Sequence, residues 1–197
     1  MPAQLPDLTV ADTRAWRRWL GRNHASSDGV WLRLAKKGTV KPTSLRFDQA
    51  LEEALCHGWI DGQIRGLDDA TFIQRFTPRR RRSTWSQRNV AHAERLIAEG
   101  RMHAAGLAEV ERAKADGRWQ AAYAGQATIE PPADLLAALA AEPAAARMFD
   151  TLTSQNRYSV ILRISSLKTA AARARRVERY VAMLARGETI HPQRSGD

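Results

Sequence analysis

Over most of the chain apolar residues return every three or four positions, the period of a helix that buries one face, and in three short stretches they alternate, the period of a strand. Trp16, Trp19 and Leu20 mark the inner side of a first helix, capped by Asp12, stopped by Gly21 and carrying Arg14, Arg17 and Arg18 outside. Residues 30–37 set Val30, Leu32 and Leu34 against Trp31, Arg33 and Ala35, a half-buried strand. Over residues 46–57 the stripe Ala50, Leu51, Ala54 and Leu55 opposes Asp48, Glu52 and Glu53, and Gly58 supplies the C-terminal cap of this second helix. Residues 60–67 and 71–77 flank Asp68, Asp69 and Ala70, which predicts an antiparallel hairpin with Phe72, Gln74 and Phe76 on one face and Ile73, Arg75 and Thr77 on the other.

After Pro78 the helical period takes over. Thr84 and Gln87 have the spacing of a capping box for a helix reaching Glu99, and residues 102–116 form another with Leu107, Val110 and Ala113 inside. Trp119 and Tyr123 pin the end of this region to the core. Residues 124–132, with a proline pair and no period, read as a linker. Beyond them lie a short helix from Asp134, one opened by Pro143, one capped by Ser154 that buries Tyr158, Ile161 and Leu162, and one capped by Thr169 with the stripe Val177, Tyr180, Val181 and Leu184.

The fold class is therefore α+β: a small antiparallel sheet of about three strands packed by helices, followed by a helical C-terminal subdomain. The expected division is residues 1–123 for the core, 124–132 for the linker, 133–187 for the helical subdomain and 188–197 for a loose tail.

A chain of 197 residues, 44% apolar, suffices for one ordinary core with a helical appendage. No apolar run approaches the roughly 18 residues of a membrane span. The beginning lacks the basic-then-apolar order of a secretory signal, and a single cysteine cannot close an internal disulfide, so the expectation is a soluble cytoplasmic protein. The net charge of +10 and pI near 10.7 favour polyanionic partners. Part of that basicity is the background of an arginine-rich, alanine-rich composition.

Candidate chemistry concentrates between Leu55 and Asn89. Cys56 and His57 are neighbours on a helix and point about 100° apart, which denies them the geometry of a nucleophile and its base. Cys56 reads as a small buried residue. His24, His57, His92, His103 and His191 show no paired ligand spacing, so neither a metal nor a cofactor is expected. Asp61, set among Trp59, Ile60 and Gly62, supports two readings: a pocket in which Asp61 and Gln63 orient a polar ligand while Arg75 or Arg79 holds an anionic group, or a structural acid–base brace of the hairpin.

Residues 75–88 hold six arginines and no acid: Arg75, Arg79, Arg80, Arg81, Arg82 and Arg88, around Trp85. Such a loop at a helix start is either a phosphate-binding surface with an indole for stacking or a solvated charge run. A second basic surface lies on the last pair of helices, where Arg175, Arg179 and Arg186 share a broad face of the final one; its alternatives are a polyanion, anionic lipid or plain solvent.

The segments ALCHGWIDGQ, RFTPRRRRSTWSQRN, LIAEGRM and ARARRVERYVAML together resemble the YdeI/OmpD-associated family, also called bacteriocin-protection proteins, over roughly residues 10–190. The helical end, residues 132–187, is similar to the part that defines the family domain. The resemblance implies a role in protection against bacteriocins or cationic antimicrobial peptides and an envelope association, and it brings no established reaction or catalytic set. Where the family pattern has an aromatic ahead of GWIDG, this chain carries His57.

Three functional classes follow. The first is a non-enzymatic cytoplasmic binding protein of the bacteriocin-protection or stress-protection type, engaging an anionic partner, nucleic acid foremost, through the basic loop. The second is a small-ligand receptor or an enzyme of unassigned reaction, its pocket formed by Asp61, Gln63, Arg75, Trp85, Ser86 and Asn89. The third is a protein-interaction module built on the C-terminal helices. Oligomeric state is left open by the sequence.

Overall fold

The computed structural model describes residues 5–125 and 128–193. Gln126 and Ala127 of the expected linker, and residues 194–197 of the expected tail, lie outside the described residues. The chain forms two compact units, Met1–Ala122 and Tyr123–Asp197.

The first unit carries a four-stranded mixed sheet in the order β1-β2-β4-β3, from β1 (Asp7–Leu8), β2 (Val30–Ala35), β3 (Trp59–Gly66) and β4 (Thr71–Pro78). Three strands are those the alternation predicts. The fourth, β1, pairs parallel to β2 with Asp7 opposite Trp31, and at two residues it is too short to show a period. Val30, Leu32 and Leu34 stand opposite Phe76, Gln74 and Phe72, so these six share one face. That face meets α1 (Thr13–Asn23) and α2 (Phe47–Cys56) in a core containing Trp16, Leu20, Leu45, Ala50, Ala54, Trp59 and Phe76. Asp12 caps α1 by accepting from the Ala15 amide at 2.8 Å. Gly21 does not stop the helix: it is not in the left-handed conformation, and the helix continues to Asn23.

Helix α2 is covered on two sides. Leu51, Leu55 and Cys56 enter a second core with Trp85, Trp119, α3 (Gln87–Ala98) and α4 (Ala104–Ala115). Glu53, which the periodicity places on a solvated face, is consequently 2% exposed. It survives there because Arg17 grips both carboxylate oxygens, at 2.8 and 2.6 Å, and Arg101 adds a bond at 3.1 Å. On α4, Val110 and Ala113 are buried as expected, whereas Leu107 is exposed. Gly106 faces inward in its place, against the α2 C-terminal backbone.

The second unit is helical: α5 (Ala133–Ala140), α6 (Pro143–Asp150), α7 (Ser154–Ser165) and α8 (Ala170–Ala185). Its core includes Leu135, Phe149, Ile161, Ile164, Tyr180 and Leu184. Thr169 caps α8 as expected. On α7 the cap is Thr153 rather than Ser154, and the buried stripe is Val160, Ile161 and Ile164, leaving Tyr158 and Leu162 half-buried. The described part of the expected loose tail is held: buried Asn156 accepts from the His191 amide at 2.8 Å and donates to the His191 carbonyl at 3.0 Å and to Gln193 at 2.9 Å. No helix is long and apolar enough to cross a membrane among the described residues.

Candidate functional site

The β3–β4 hairpin sets the geometry. Asp68 accepts from the Ala70 and Thr71 amides and closes the connection. Trp59, Ile60 and Asp61 pair with Pro78, Thr77 and Phe76; the register then shifts, and pairing resumes with Ile64 opposite Gln74. Gly62 and Gln63 therefore sit in a bulge, where Gln74 donates to the Gly62 carbonyl at 2.6 Å.

The register sends Asp61 and Arg75, which the sequence places in one pocket, out on opposite faces of the hairpin, yet both line one cleft beside it. Asp61 is opposite Phe76, so its side chain leaves on the Phe76 side, while Arg75 leaves with Thr77 on the other. The charges that act on Asp61 are those of Arg79 and Arg88. Burial pushes its carboxyl above the usual value, and the two guanidiniums pull it back. Gln63 is exposed on the bulge.

Beside the hairpin lies a cleft of about 700 Å³ lined by Ile60, Asp61, Gly62, Arg75, Thr77, Pro78, Arg79, Arg80 and Ser83, together with Leu5 and Asp28. The first two members of the arginine run line it, and Arg79 differs from the rest. Arg79 is 5% exposed, donates to the Thr84 carbonyl at 3.1 Å, and lies 3.5 Å above the Trp85 ring. Arg80, Arg81 and Arg82 are exposed. Their turn is fixed by the Ser83 amide donating to the Arg80 carbonyl at 2.8 Å, by the Arg80 amide donating to Ser83 Oγ at 2.9 Å, and by Arg118 donating to the Ser83 carbonyl at 2.7 Å.

Trp85 does not offer its ring to a stacking base. At 2% exposure it belongs to the second core, covered by Arg79 and tilted against Trp119 at 4.8 Å. Ser86, not Thr84, caps α3, accepting from the Asn89 amide at 3.2 Å, and Asn89 is buried. Trp85, Ser86 and Asn89 thus support the loop from beneath, and none of them lines the cleft. Arg75, Arg80, Arg81, Arg82 and Arg88 make no ion pair among the described residues; Arg88 lies 5.7 Å over the Phe47 ring.

Elsewhere in this unit, burial pushes the Cys56 thiol up to about 11, so it is no nucleophile near neutrality. His57 is buried and spends its Nδ1–H on the Glu53 carbonyl at 2.9 Å. No group of three or more His, Cys, Asp or Glu is placed to hold a metal ion among the described residues. In the second unit Arg175 and Arg179 are exposed four residues apart on α8, without an ion pair among the described residues, while Arg173 is paired with Asp134.

Residues 128–187 match the family described as bacteriocin-protection, YdeI or OmpD-associated. Residues 8–109, more than half of the chain, match a domain of unknown function (DUF8412). The chain belongs to the family defined by DUF8412, and its helical end carries a YdeI/OmpD-associated match. The GWIDG segment, Gly58 to Gly62, and the FTPR segment, Phe76 to Arg79, fall inside the DUF8412 match, so the cleft belongs to that domain. The α8 arginines fall inside the YdeI/OmpD-associated match. No curated protein matches the chain, and no solved structure does.

Proposed function

We propose that this is a non-enzymatic cytoplasmic binding protein of the protective type named by the family that its helical end matches, engaging an anionic partner through the arginine run and the cleft beside it. The observation that carries the reading is the local imbalance of charge. Arg80, Arg81 and Arg82 are exposed on a hydrogen-bonded turn, Arg75 and Arg79 stand next to it, and the three exposed arginines have no carboxylate partner among the described residues. The lone, buried Cys56 supports a reducing compartment.

Nucleic acid is the first partner to test. Fluorescence anisotropy of single-stranded and double-stranded DNA and RNA, across a salt series, is compared with the protein in which Arg80, Arg81 and Arg82 are replaced by glutamine. Arg79 is left in place because its guanidinium is part of the second core. Binding that persists at physiological salt, with a salt slope lowered by about two to three in the variant, supports the reading. Binding confined to low salt, or indifferent to the substitutions, sinks it.

A second reading, a receptor for a small anionic ligand, is favoured by the cleft itself, whose volume of about 700 Å³ suits a small molecule.

A further inference from the structure

We propose that the cleft between the β3–β4 hairpin and the arginine turn binds a phosphate monoester, with Arg75 as the residue that grips the phosphate. The proposal deepens the anion-binding reading of this face and rests on it.

Arg75 leaves β4 on the side away from Phe76, and its guanidinium lies over Gly62. A Cβ at residue 62 would stand 2.9 Å from Nε and 3.2 Å from one terminal nitrogen, so glycine is what lets the planar group rest there. Nε of Arg75 is buried with no hydrogen-bond partner among the described residues. Arg75 also lines the open cleft and makes no ion pair among the described residues, so its planar group is complementary to a ligand oxygen there.

The surroundings select the anion. Arg79 and Arg80 line the same cleft, so more than one positive charge converges on it. A phosphate monoester carries close to two negative charges near neutrality, where a carboxylate carries one. Ser83 uses its oxygen to accept from the Arg80 amide and keeps its own proton to donate, and Thr77 adds a second hydroxyl. Asp28 and Asp61 line the cleft as well. They repel a second anionic group and accept from hydroxyls or amines, so the ligand has one strongly anionic end and a hydroxyl-bearing remainder. A free nucleotide and the 5′-phosphorylated end of a nucleic-acid strand share this chemistry.

The test uses the full chain and two variants that keep the charge. Gly62→Ala presses a methyl group against the Arg75 guanidinium; Arg75→Lys removes the planar fork. Adenosine 5′-monophosphate and adenosine are titrated calorimetrically, and oligonucleotides with a 5′-phosphate or a 5′-hydroxyl are compared by anisotropy. The expected result is binding of the monophosphate but not of adenosine, weakened about ten- to hundredfold in both variants. A preference for the 5′-phosphorylated strand identifies a strand end as the source; equal strand binding with monophosphate binding intact identifies the free ligand, and either supports the proposal. Failure of the monophosphate to bind better than adenosine, or binding unchanged in both variants, overturns it. If the strands still bind through Arg80, Arg81 and Arg82 in that case, the broader anion reading stands alone; if they do not, both fall. Should Gly62→Ala fail to fold by its thermal transition, Arg75→Lys decides.

Discussion

The imidazole of His103 stacks on that of His57, with ring centroids 4.1 Å apart and planes 28° from parallel. The His24 ring lies 5.4 Å from His57, so residues from the end of α1, the C-terminus of α2 and the start of α4 meet through three titratable rings. His57 is 3% exposed. Burial pushes its pKa below the ordinary value and the neighbouring His103 and His24 push the same way, while the Glu53 carbonyl and carboxylate pull it back.

Stability should accordingly fall on the acid side of neutrality. The unfolded chain takes up a proton at His57 near about pH 6.5, whereas the folded chain resists it to lower pH. Between those values the unfolded state binds more protons, so stability drops as pH falls and levels off below the lowered folded value. Urea unfolding followed from about pH 8 to about pH 5 should show the drop, and His57→Gln should flatten it. An identical pH profile in the variant would remove His57 from the explanation.

Glu53 gives a second prediction, since it ties α1 to the segment after α3 through Arg17 and Arg101. Burial alone would raise its pKa, yet the two guanidiniums hold it below the usual carboxylate value, so its contribution is present at neutral pH and is lost as pH falls through that lowered value. Glu53→Ala should cost about 1–3 kcal/mol, less than a fully enclosed ion pair because Arg17 is half exposed and rehydrates. Glu52→Ala, whose carboxylate is 21% exposed against 2% for Glu53, should cost no more than about 1 kcal/mol. Urea midpoints of the two variants test the ranking, and equal losses would contradict it.

Periodicity made the helices, the hairpin and its two faces legible, because burial on one side of an element leaves a pattern along the chain. It misplaced Glu53 because α2 is packed on two sides, and a second contact surface has no separate signature in a stripe of alanines and leucines. Trp85 shows the same limit from the other direction. An indole among arginines reads equally as a stacking platform or as the core residue under Arg79, and only the fold distinguishes them. That Asp61 and Arg75 reach one cleft from opposite faces of the hairpin depends on strand register, and the bulge at Gly62 and Gln63 is a pairing feature that composition does not encode.

Two glycines in helices should respond to alanine in opposite senses. Gly21 lies within α1 with nothing near its missing Cβ, so Gly21→Ala should stabilise by about 0.5–1 kcal/mol through helix propensity. Gly106 faces the backbone carbonyls of Leu55 and Cys56, which cannot swing away as a side chain can. Gly106→Ala should destabilise by about 1–3 kcal/mol despite the same gain in propensity. Thermal unfolding of both variants checks the signs, and a stabilised Gly106→Ala would mean that α4 does not approach α2 this closely.

In the second unit, Asn156 should decide whether residues 189–193 stay docked. Its amide makes three bonds to His191 and Gln193, and Ser159 Oγ adds a 2.9 Å contact to His191 Nε2. Buried polar groups of this kind are costly when one partner is removed, because the other is left facing a site it cannot leave without unfolding the segment. Here the segment follows the last helix and can detach, so the loss should appear locally before it appears globally. Asn156→Ala is expected to accelerate amide exchange at Thr189, Ile190, His191 and Gln193 and to lower stability by about 1–2 kcal/mol, while Ser159→Ala leaves the His191 amide protected by Asn156. Unchanged exchange at His191 in the Asn156 variant would show that packing of Ile190 on the helical core, not the asparagine, holds this segment in place.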